Sequence, residues 1–434
     1  MKLKKFLPQI ITVVLSVLML IITFTSVQFP ESSKPLSMFE KLGIYSNGTD
    51  YGILNDTFSS NGTHETFVSL LKKTASENVF NGILPFVILS ILLVKSLVII
   101  SKVATKTNYT WTAYLCAVLL PLVFCDFTNI AFFKTLFINP LILVILLMIC
   151  AVFLWIHSKK NTGITGIIII TAITLIYSWL GVVPAITSIV LGILIARLCI
   201  ISKNKLTKIL AIIMGCVVVL QSLAFIFSYK SVDYKQNLYN AVFFGVAKYD
   251  SVTELGLNPK LDDFKEVYYG MKENEAEYDL ENTFYSKVSY TDITKYYLTH
   301  PINAAKVINY QATQSSLFEH KFGFTPYNFI KTKIPVSFIF VLVITFAYVF
   351  IARILGKKYS HLKPVSEFFA GISIMWILSL IAGSIYYGNC DMAMNMTVYN
   401  VLFDIVLISA LVCGLRVIIH RQDEKKEEFG ITHE

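Results

Sequence analysis

Long apolar runs separated by short polar segments fill most of the chain. A membrane-spanning helix needs about 20 predominantly apolar residues, and about ten runs approach or reach this length. They lie at residues 6–29, 83–101, 111–125, 136–156, 163–180, 184–201, 206–228, 334–355, 365–387 and 398–419. The pattern predicts an all-α polytopic membrane protein with about ten transmembrane helices. Two longer segments, 30–80 and 229–333, lie between these runs.

The first apolar run follows a basic start that contains Lys2, Lys4 and Lys5. A secretory signal peptide begins in the same way, but its apolar region spans only about 7–15 residues and a small-x-small cleavage motif follows it. The run at 6–29 is longer, and no such motif follows it. We therefore predict a retained signal anchor.

The lysine and arginine residues of the short loops predict the orientation. With the N-terminus inside, the inner loops hold Lys102, Lys106, Lys159, Lys160, Lys203, Lys205, Lys208, Arg353, Lys357, Lys358 and Lys363. The short loops on the other side hold only Lys134. Because cytoplasmic loops carry the excess of positive residues, both termini are predicted to be cytoplasmic and the two longer segments extracytoplasmic.

These assignments divide the chain into four parts. Residues 1–228 form a membrane bundle of seven spans with the outer segment 30–80, and residues 229–333 form an extracytoplasmic helical segment. Residues 334–420 form a second bundle of three spans, and 421–434 are a cytoplasmic tail. Within the first outer segment, residues 66–80 place apolar side chains opposite two lysines, which predicts an amphipathic helix on the membrane surface.

Composition narrows the classes of protein. Of the 434 residues, 55% are hydrophobic and only 15% are charged, whereas soluble domains contain about 25% charged residues. A soluble enzyme and a disordered protein are thereby excluded. The net charge of +9 is interpreted as loop charge beside membrane lipid, not as a nucleic-acid site. An Ile-, Lys- and Asn-rich composition is typical of an AT-rich bacterium, so we expect the plasma membrane of a bacterial cell.

Familiar metal and nucleotide motifs do not occur in the sequence. The seven cysteines include no CxxC pair, and there is no HExxH, P-loop or GxGxxG context. No disulfide framework, metal site or nucleotide cofactor is therefore expected.

Charged side chains at membrane depth are the candidates for chemistry, because each costs about 2.5–3.5 kcal/mol at the centre of a span. Asp126 ends the third span beside a short aromatic loop, where partial desolvation suits a general base; a helix-capping aspartate is the alternative. Asp404, inside the last span, needs a partner or protonation, and a structural hydrogen bond to a neighbouring helix would serve. Asp391 is by default solvated, and Glu31 and Asp50 lie where they can face a substrate.

Three stretches resemble one bacterial family. They are DFTNIAFFKTLFINP at 126–140, YNAVFFGVAK at 239–248 with two short motifs behind it, and the stretch 388–404, which ends in YNVLFD. Together they make the whole chain similar to bacterial glycan-biosynthesis hexose transferases of the WsfD type, membrane proteins of GT-C-like architecture.

Several positions depart from the pattern of that family. Asn139 stands where the family tends to have glutamate before the proline, and Met394 and Asn395 stand at its Lys-His pair. Asp126, Asn400 and Asp404 are kept. Because charge is lost at these positions, a diverged member of that family is one interpretation of the chain.

The resemblance implies a hexose transferase that uses a polyprenyl-phosphate-linked donor and a surface glycan acceptor, without a further cofactor. A carboxylate base acting by direct displacement would invert the anomeric centre. Asp126 is the predicted base, with Asp50 or Glu31 assisting, and Lys134 is the predicted phosphate contact. The remaining predicted substrate contacts are Asn139, Tyr239, Asn240, Asp391, Asn400 and Asp404.

Two other functions stay open at this point. A transporter or flippase of lipid-linked glycans would need polar faces on several spans, whereas these spans are nearly free of charge. A non-catalytic component of a polysaccharide assembly complex would explain the lost charges at Asn139, Met394 and Asn395.

Overall fold

The chain folds into a bundle of apolar helices with a smaller helical module inserted near its middle. The computed structural model describes residues 2–26, 44–47, 50–53, 79–80, 83–104, 110–130, 133, 138–158, 163–200, 202–228, 234–269, 279–314, 327, 331, 333–334, 336–358, 363–390 and 395–428. The predicted fold class, an all-α polytopic membrane protein, is confirmed.

Ten long helices form the bundle in these described ranges. They are α1 (Lys2–Ser26), α2 (Ile83–Ala104), α3 (Thr110–Phe124), α4 (Ile138–Ser158), α5 (Ile164–Ser178), α6 (Val182–Arg197), α7 (Lys205–Ser228), α11 (Phe338–Lys358), α12 (Lys363–Tyr387) and α13 (Thr397–Glu428). Six contain a stretch long and apolar enough to cross a membrane, and the other four contain shorter apolar stretches. Three shorter helices, α8 (Tyr234–Asn240), α9 (Tyr290–Thr299) and α10 (Pro301–Gln314), belong to the inserted module.

Helix α12 is the centre of the assembly. It packs against α6 and α4 of the first bundle, against α11 and α13 of the second, and against all three helices of the module. Trp376 is fully buried on this helix and packs on the rings of Tyr399 and Phe403, at centroid distances of 5.8 and 5.5 Å. These contacts fix the start of α13 against α12.

Helices α6 and α7 approach each other at two glycines. A Cβ atom on Gly215 would lie 2.5 Å from the carbonyl oxygen of Gly192, and one on Gly192 would lie 2.9 Å from that of Gly215. Small residues at such crossings let membrane helices pack backbone against backbone. The two helices therefore form one tightly joined pair.

Helices α7 and α11 expose large apolar side chains on their outer faces. Phe227 is 86% exposed, and Ile339 and Phe346 are about 70% exposed. In water these faces would cost about 25 cal/mol per Å² of apolar area, whereas lipid tails cover them without that cost. The exposed faces agree with a bundle surrounded by membrane.

The module spans the described residues 234–269 and 279–314 and has its own hydrophobic core. Helix α8 continues into a π-helical segment, Ala241–Val246, and a short helical turn, Ala247–Tyr249. Phe243, Phe264 and Phe284 are fully buried together at the centre of this core. Helices α9 and α10 then form a hairpin that stands against α12.

Three short strands lie in the first predicted outer segment. β1 (Ile44–Asn47), β2 (Asp50–Ile53) and β3 (Val79–Phe80) form one antiparallel sheet in that order. The amphipathic helix predicted over 66–80 is wrong at its end, because Val79 and Phe80 pair with β2 as a strand. The rest of that prediction lies outside the described residues.

Candidate functional site

A buried ion pair lies at the end of the bundle that adjoins the module. Lys331 Nζ is 2.9 Å from Asp404 Oδ1, and the two side chains are 6% and 1% exposed. The Tyr327 hydroxyl donates a hydrogen bond of 2.5 Å to the same carboxylate oxygen. Lys331 also lies 5.3 Å from the ring centre of Phe403 and 5.9 Å from that of Tyr327.

The chain brings these residues together from two regions distant in sequence. Asp404 is two turns into α13, while Tyr327 and Lys331 precede α11. The Tyr348 hydroxyl of α11 donates to the Val406 carbonyl of α13 over 2.7 Å, which keeps these two helices adjacent. Removing one partner of a buried ion pair typically costs about 3–5 kcal/mol, since the other charge is left uncompensated.

Tyr327 acts as a hydrogen-bond donor in this cluster. Its burial, and then the negative charges of Asp404 and Asp126, raise the pKa of the Tyr327 hydroxyl well above its usual value. The phenol therefore stays protonated at neutral pH and donates to the Asp404 carboxylate.

Asp126 lies at the same end of the bundle and is 1% exposed. It follows α3, and its carbonyl accepts hydrogen bonds from the amides of Asn129 (3.0 Å) and Ile130 (3.1 Å), which starts the one-turn helix Phe127–Ile130. The Asn129 side chain donates back to the Val123 carbonyl over 3.1 Å and ties this turn to α3. Helix α3 packs on α13, so Asp126 and Asp404 lie at the same end of two neighbouring helices.

Two further predicted residues lie near the start of α13. Asn139 Nδ2 donates to the Thr397 hydroxyl over 2.6 Å and so joins the first turn of α4 to the first turn of α13. Asn400 is buried, at 4% exposure, one turn before Asp404. The structure thus brings four of the predicted residues, Asp126, Asn139, Asn400 and Asp404, to one end of the bundle.

Tyr239 and Asn240 lie in the module instead. Tyr239 is fully buried, packs against Phe243 and Phe264, and donates to the Val267 carbonyl over 3.0 Å. Asn240 is 3% exposed at the end of α8. Tyr239 therefore has a structural contact, and the predicted substrate contacts of both residues stay predictions.

The module meets the bundle at Gly388, directly after α12. Its backbone has φ +56°, and it touches the backbone of Asn240 and Gly245. The Asn389 amide donates to the Phe244 carbonyl over 3.2 Å, and the Gln311 side chain donates to the Gly388 carbonyl. This seam fixes the π-helical segment against the end of α12; π-helical turns are frequent at functional sites.

Several predicted residues cannot be compared with the site. Glu31, Lys134, Asp391 and Met394 lie outside the described residues, and Asp50 is described only as part of β2. The Asn395 side chain is described, and its amide donates to the Cys390 carbonyl over 2.9 Å.

Lys331 and Tyr327 are the residues that sequence reasoning missed. One signal was present, because Lys331 and Lys333 stand at the predicted outer end of a span, where the orientation rule predicts few lysines. A lysine at that position needs a negatively charged partner, and Lys331 has one in the buried Asp404. Within the described residues, no group of three or more His, Cys, Asp or Glu side chains is arranged to hold a metal ion.

A second polar cluster lies in the module, at the tip of the α9–α10 hairpin. The Asp250 carboxylate accepts hydrogen bonds from the Tyr296 hydroxyl (3.0 Å) and from Asn303 Nδ2 (3.1 Å). Burial raises the pKa of Tyr296 to about 12, so its hydroxyl remains a donor. His300 stacks on the Tyr296 ring at 4.5 Å. The cluster closes the hairpin.

Comparison with known proteins gives one match. The model of the family described as the YfdI N-terminal transmembrane domain matches residues 39–431, which is most of the chain. The searches of curated proteins and of solved structures found no match. The match begins after α1 and includes the other nine helices of the bundle, the module, Asp126 and the Lys331–Asp404 pair. The chain therefore belongs to the YfdI N-terminal transmembrane domain family.

Proposed function

We propose that the chain is a membrane glycosyltransferase that moves a hexose from a polyprenyl-phosphate-linked donor to a cell-surface glycan at the outer face of the plasma membrane. The observation that carries the proposal is that buried Asp126 and the buried Asp404–Lys331 pair lie at the same end of the bundle, beside the module, on helices that pack together. The family is one of multi-pass membrane proteins, which agrees with a donor whose lipid tail stays in the bilayer.

In this proposal Asp126 is the general base. Its carboxylate accepts the proton of an acceptor hydroxyl, and the resulting oxygen attacks the anomeric carbon of the donor. The bond from that carbon to the phosphate oxygen breaks, and polyprenyl phosphate leaves with the electron pair. A single displacement inverts the anomeric centre and forms no covalent enzyme intermediate.

The surroundings of Asp126 support this role. Its burial excludes bulk water, which strengthens electrostatic interactions at the reacting atoms and protects the donor from hydrolysis. The one-turn helix after it holds the backbone in a fixed position. The proposal also takes both termini to be cytoplasmic, so that Asp126 and the module lie on the outer side.

The departures at Asn139 and Asn395 fit a diverged transferase. Both side chains make hydrogen bonds within the protein, to Thr397 and to the Cys390 carbonyl. The neutral amide of Asn139 therefore joins two helices, and that of Asn395 ties the segment between α12 and α13, at positions where the resemblance would have placed charged or titratable groups.

The experiment compares the surface glycan of cells that carry the wild type, a deletion or Asp126→Asn, by mass spectrometry at equal membrane protein level. The matched control is Asp263→Asn, which makes the same chemical change at an exposed position of the module. We expect one hexose decoration to disappear in the deletion and in Asp126→Asn and to remain in the control. Unchanged decoration in Asp126→Asn would remove Asp126 as the base, and a glycan unchanged by the deletion would refute the transferase.

A further inference from the structure

The Lys331–Asp404 pair has hydrogen-bonding capacity that the described residues do not use. The Lys331 ammonium carries three N–H donors, and the hydrogen-bond acceptor found for it among those residues is Asp404 Oδ1. Asp404 Oδ2 is buried and has no hydrogen-bond partner in the described part of the chain. Buried polar atoms are rarely left unpaired, because each costs about 1–3 kcal/mol.

The unused groups differ in chemistry and lie side by side. One is a cation with N–H donors that the described residues leave unused, which suits an anionic oxygen. The other is a carboxylate oxygen, which accepts a hydrogen bond from a hydroxyl group. A sugar phosphate offers both partners on neighbouring atoms, a phosphate oxygen and a sugar hydroxyl.

The location suits a lipid-linked ligand. Asp404 is two turns inside α13, and Lys331 lies shortly before the first turn of α11, so the pair is near one end of two membrane helices. Helix α11 exposes Ile339, Val343 and Phe346 to its surroundings on one stripe. A head group at the pair can therefore have its hydrocarbon tail in the bilayer.

We infer that Lys331 and Asp404 form the head-group subsite for the glycosyl phosphate of the donor. Lys331 Nζ binds a phosphate oxygen, and Asp404 Oδ2 accepts a hydrogen bond from a sugar hydroxyl. Asp404 Oδ1 holds the ammonium in position, and the Tyr327 hydroxyl donates to the same oxygen and so fixes the carboxylate. The inference rests on the proposed function and assigns to Lys331 the phosphate contact that the sequence had suggested for Lys134.

The subsite also has a role when the donor reacts. Negative charge grows on the phosphate oxygen as its bond to the anomeric carbon breaks, and the Lys331 charge stabilises that oxygen. Asp126 lies at the same end of the bundle, directly after α3, which packs on α13, and in the proposed function it serves the acceptor hydroxyl from there.

The experiment separates binding from folding by removing both charges together. Lys331→Met alone leaves a buried carboxylate unpaired, whereas Lys331→Met with Asp404→Leu replaces the pair by apolar side chains, which is often neutral or stabilising. The full-length chain in detergent micelles is titrated with undecaprenyl phosphate and with undecaprenol, the same lipid without phosphate. Melting temperature reports whether each variant is folded.

The wild type is expected to bind the phosphate at least tenfold more tightly than the alcohol. The double variant is expected to stay folded and to lose this preference. It is expected to melt somewhat below the wild type, because the buried Tyr327 hydroxyl loses its acceptor. A control that removes the exposed Lys235–Glu281 pair, 2.6 Å apart, is expected to keep the preference. A folded double variant that keeps it would overturn the inference, as would a wild type without any preference.

A second measurement applies if the double variant does not fold. Undecaprenyl phosphate bearing a diazirine beside its phosphate is photolysed with the wild type, and the labelled peptides are sequenced. Label at Lys331 or at residues 400–404 is expected, and label confined to other regions would overturn the inference.

The proposed function and the inference can be refuted independently of each other. Asp126→Asn is expected to keep the phosphate preference while losing transfer in cells. Loss of the preference in the double variant, together with a glycan that the deletion leaves unchanged, would support the subsite and refute the transferase. If the double variant keeps the preference and the deletion removes the hexose decoration, the transferase stands and another residue binds the phosphate.

Discussion

Replacing Gly388 by alanine tests whether the seam between module and bundle is as close as described. Gly388 has φ +56°, and an added Cβ would overlap the Asn240 carbonyl oxygen and lie 2.9 Å from the Gly245 nitrogen. Both neighbours are backbone atoms, so no side-chain rotation relieves the contact. The module or α12 must therefore shift.

Two terms make up the expected cost. A left-handed backbone costs a non-glycine residue about 1–2 kcal/mol, and inserting a methyl group into a closely packed contact costs about 1–3 kcal/mol. Gly388→Ala is therefore expected to lower the free energy of unfolding by about 2–5 kcal/mol.

Gly256→Ala is the matched control for this change. Gly256 also has a positive φ, +72°, but nothing lies within 4 Å of an added Cβ. Gly256→Ala therefore incurs the cost of the left-handed backbone but not the cost of a packing overlap, and it is expected to lower the free energy of unfolding by about 1–2 kcal/mol. The difference between the two variants isolates the contact at the seam.

The assay is thermal unfolding of the purified protein in one detergent, with limited proteolysis of the module as a second measurement. Gly388→Ala is expected to melt at a lower temperature than Gly256→Ala, with earlier cleavage in the module. Equal melting temperatures for the two variants would refute the close packing of Gly388 against the π-helical segment.

The remaining predictions concern helix contacts in the bundle and use the same melting assay. Gly215→Ala is expected to destabilise the chain clearly, because its Cβ would lie 2.5 Å from the Gly192 carbonyl oxygen; a wild-type melting temperature would contradict the α6–α7 crossing. Arg197→Gln is expected to change the free energy of unfolding by less than about 1 kcal/mol, since Arg197 is 46% exposed in its ion pair with Glu367. A larger loss would show that this pair is not the surface contact described.

The bundle was predictable because hydropathy is a local property. The composition of each apolar run is enough to predict that it is buried in membrane or core. The helices lie where these runs predicted them. Two boundaries show the limit of this reasoning. Phe80 pairs as a strand with Tyr51, which is distant in sequence, so a local pattern does not reveal the strand. The π-helical segment likewise lies against Gly388, which is distant in sequence.

Only part of the candidate site could be predicted from the sequence. The sequence identified Asp404 as a carboxylate in need of a partner, because an ionised group in a span is costly whatever surrounds it. Its partner, Lys331, was not identified, since pairing across roughly 70 residues is a tertiary fact. The full burial of Tyr239 in the hydrophobic core of the module is a tertiary fact of the same kind.

The seam at Gly388 has a consequence for the order of synthesis. The module from α8 to α10 emerges before α12, yet Gln311 and Tyr290 find their partners at the end of α12, in Gly388 and Tyr386. Asn240 precedes Gly388 by roughly 150 residues, which take about 7–30 s to translate at about 5–20 residues per second. During that interval the module lacks its contacts with the end of α12. Its polar groups that will pair there depend on water or on a chaperone until the second bundle is inserted.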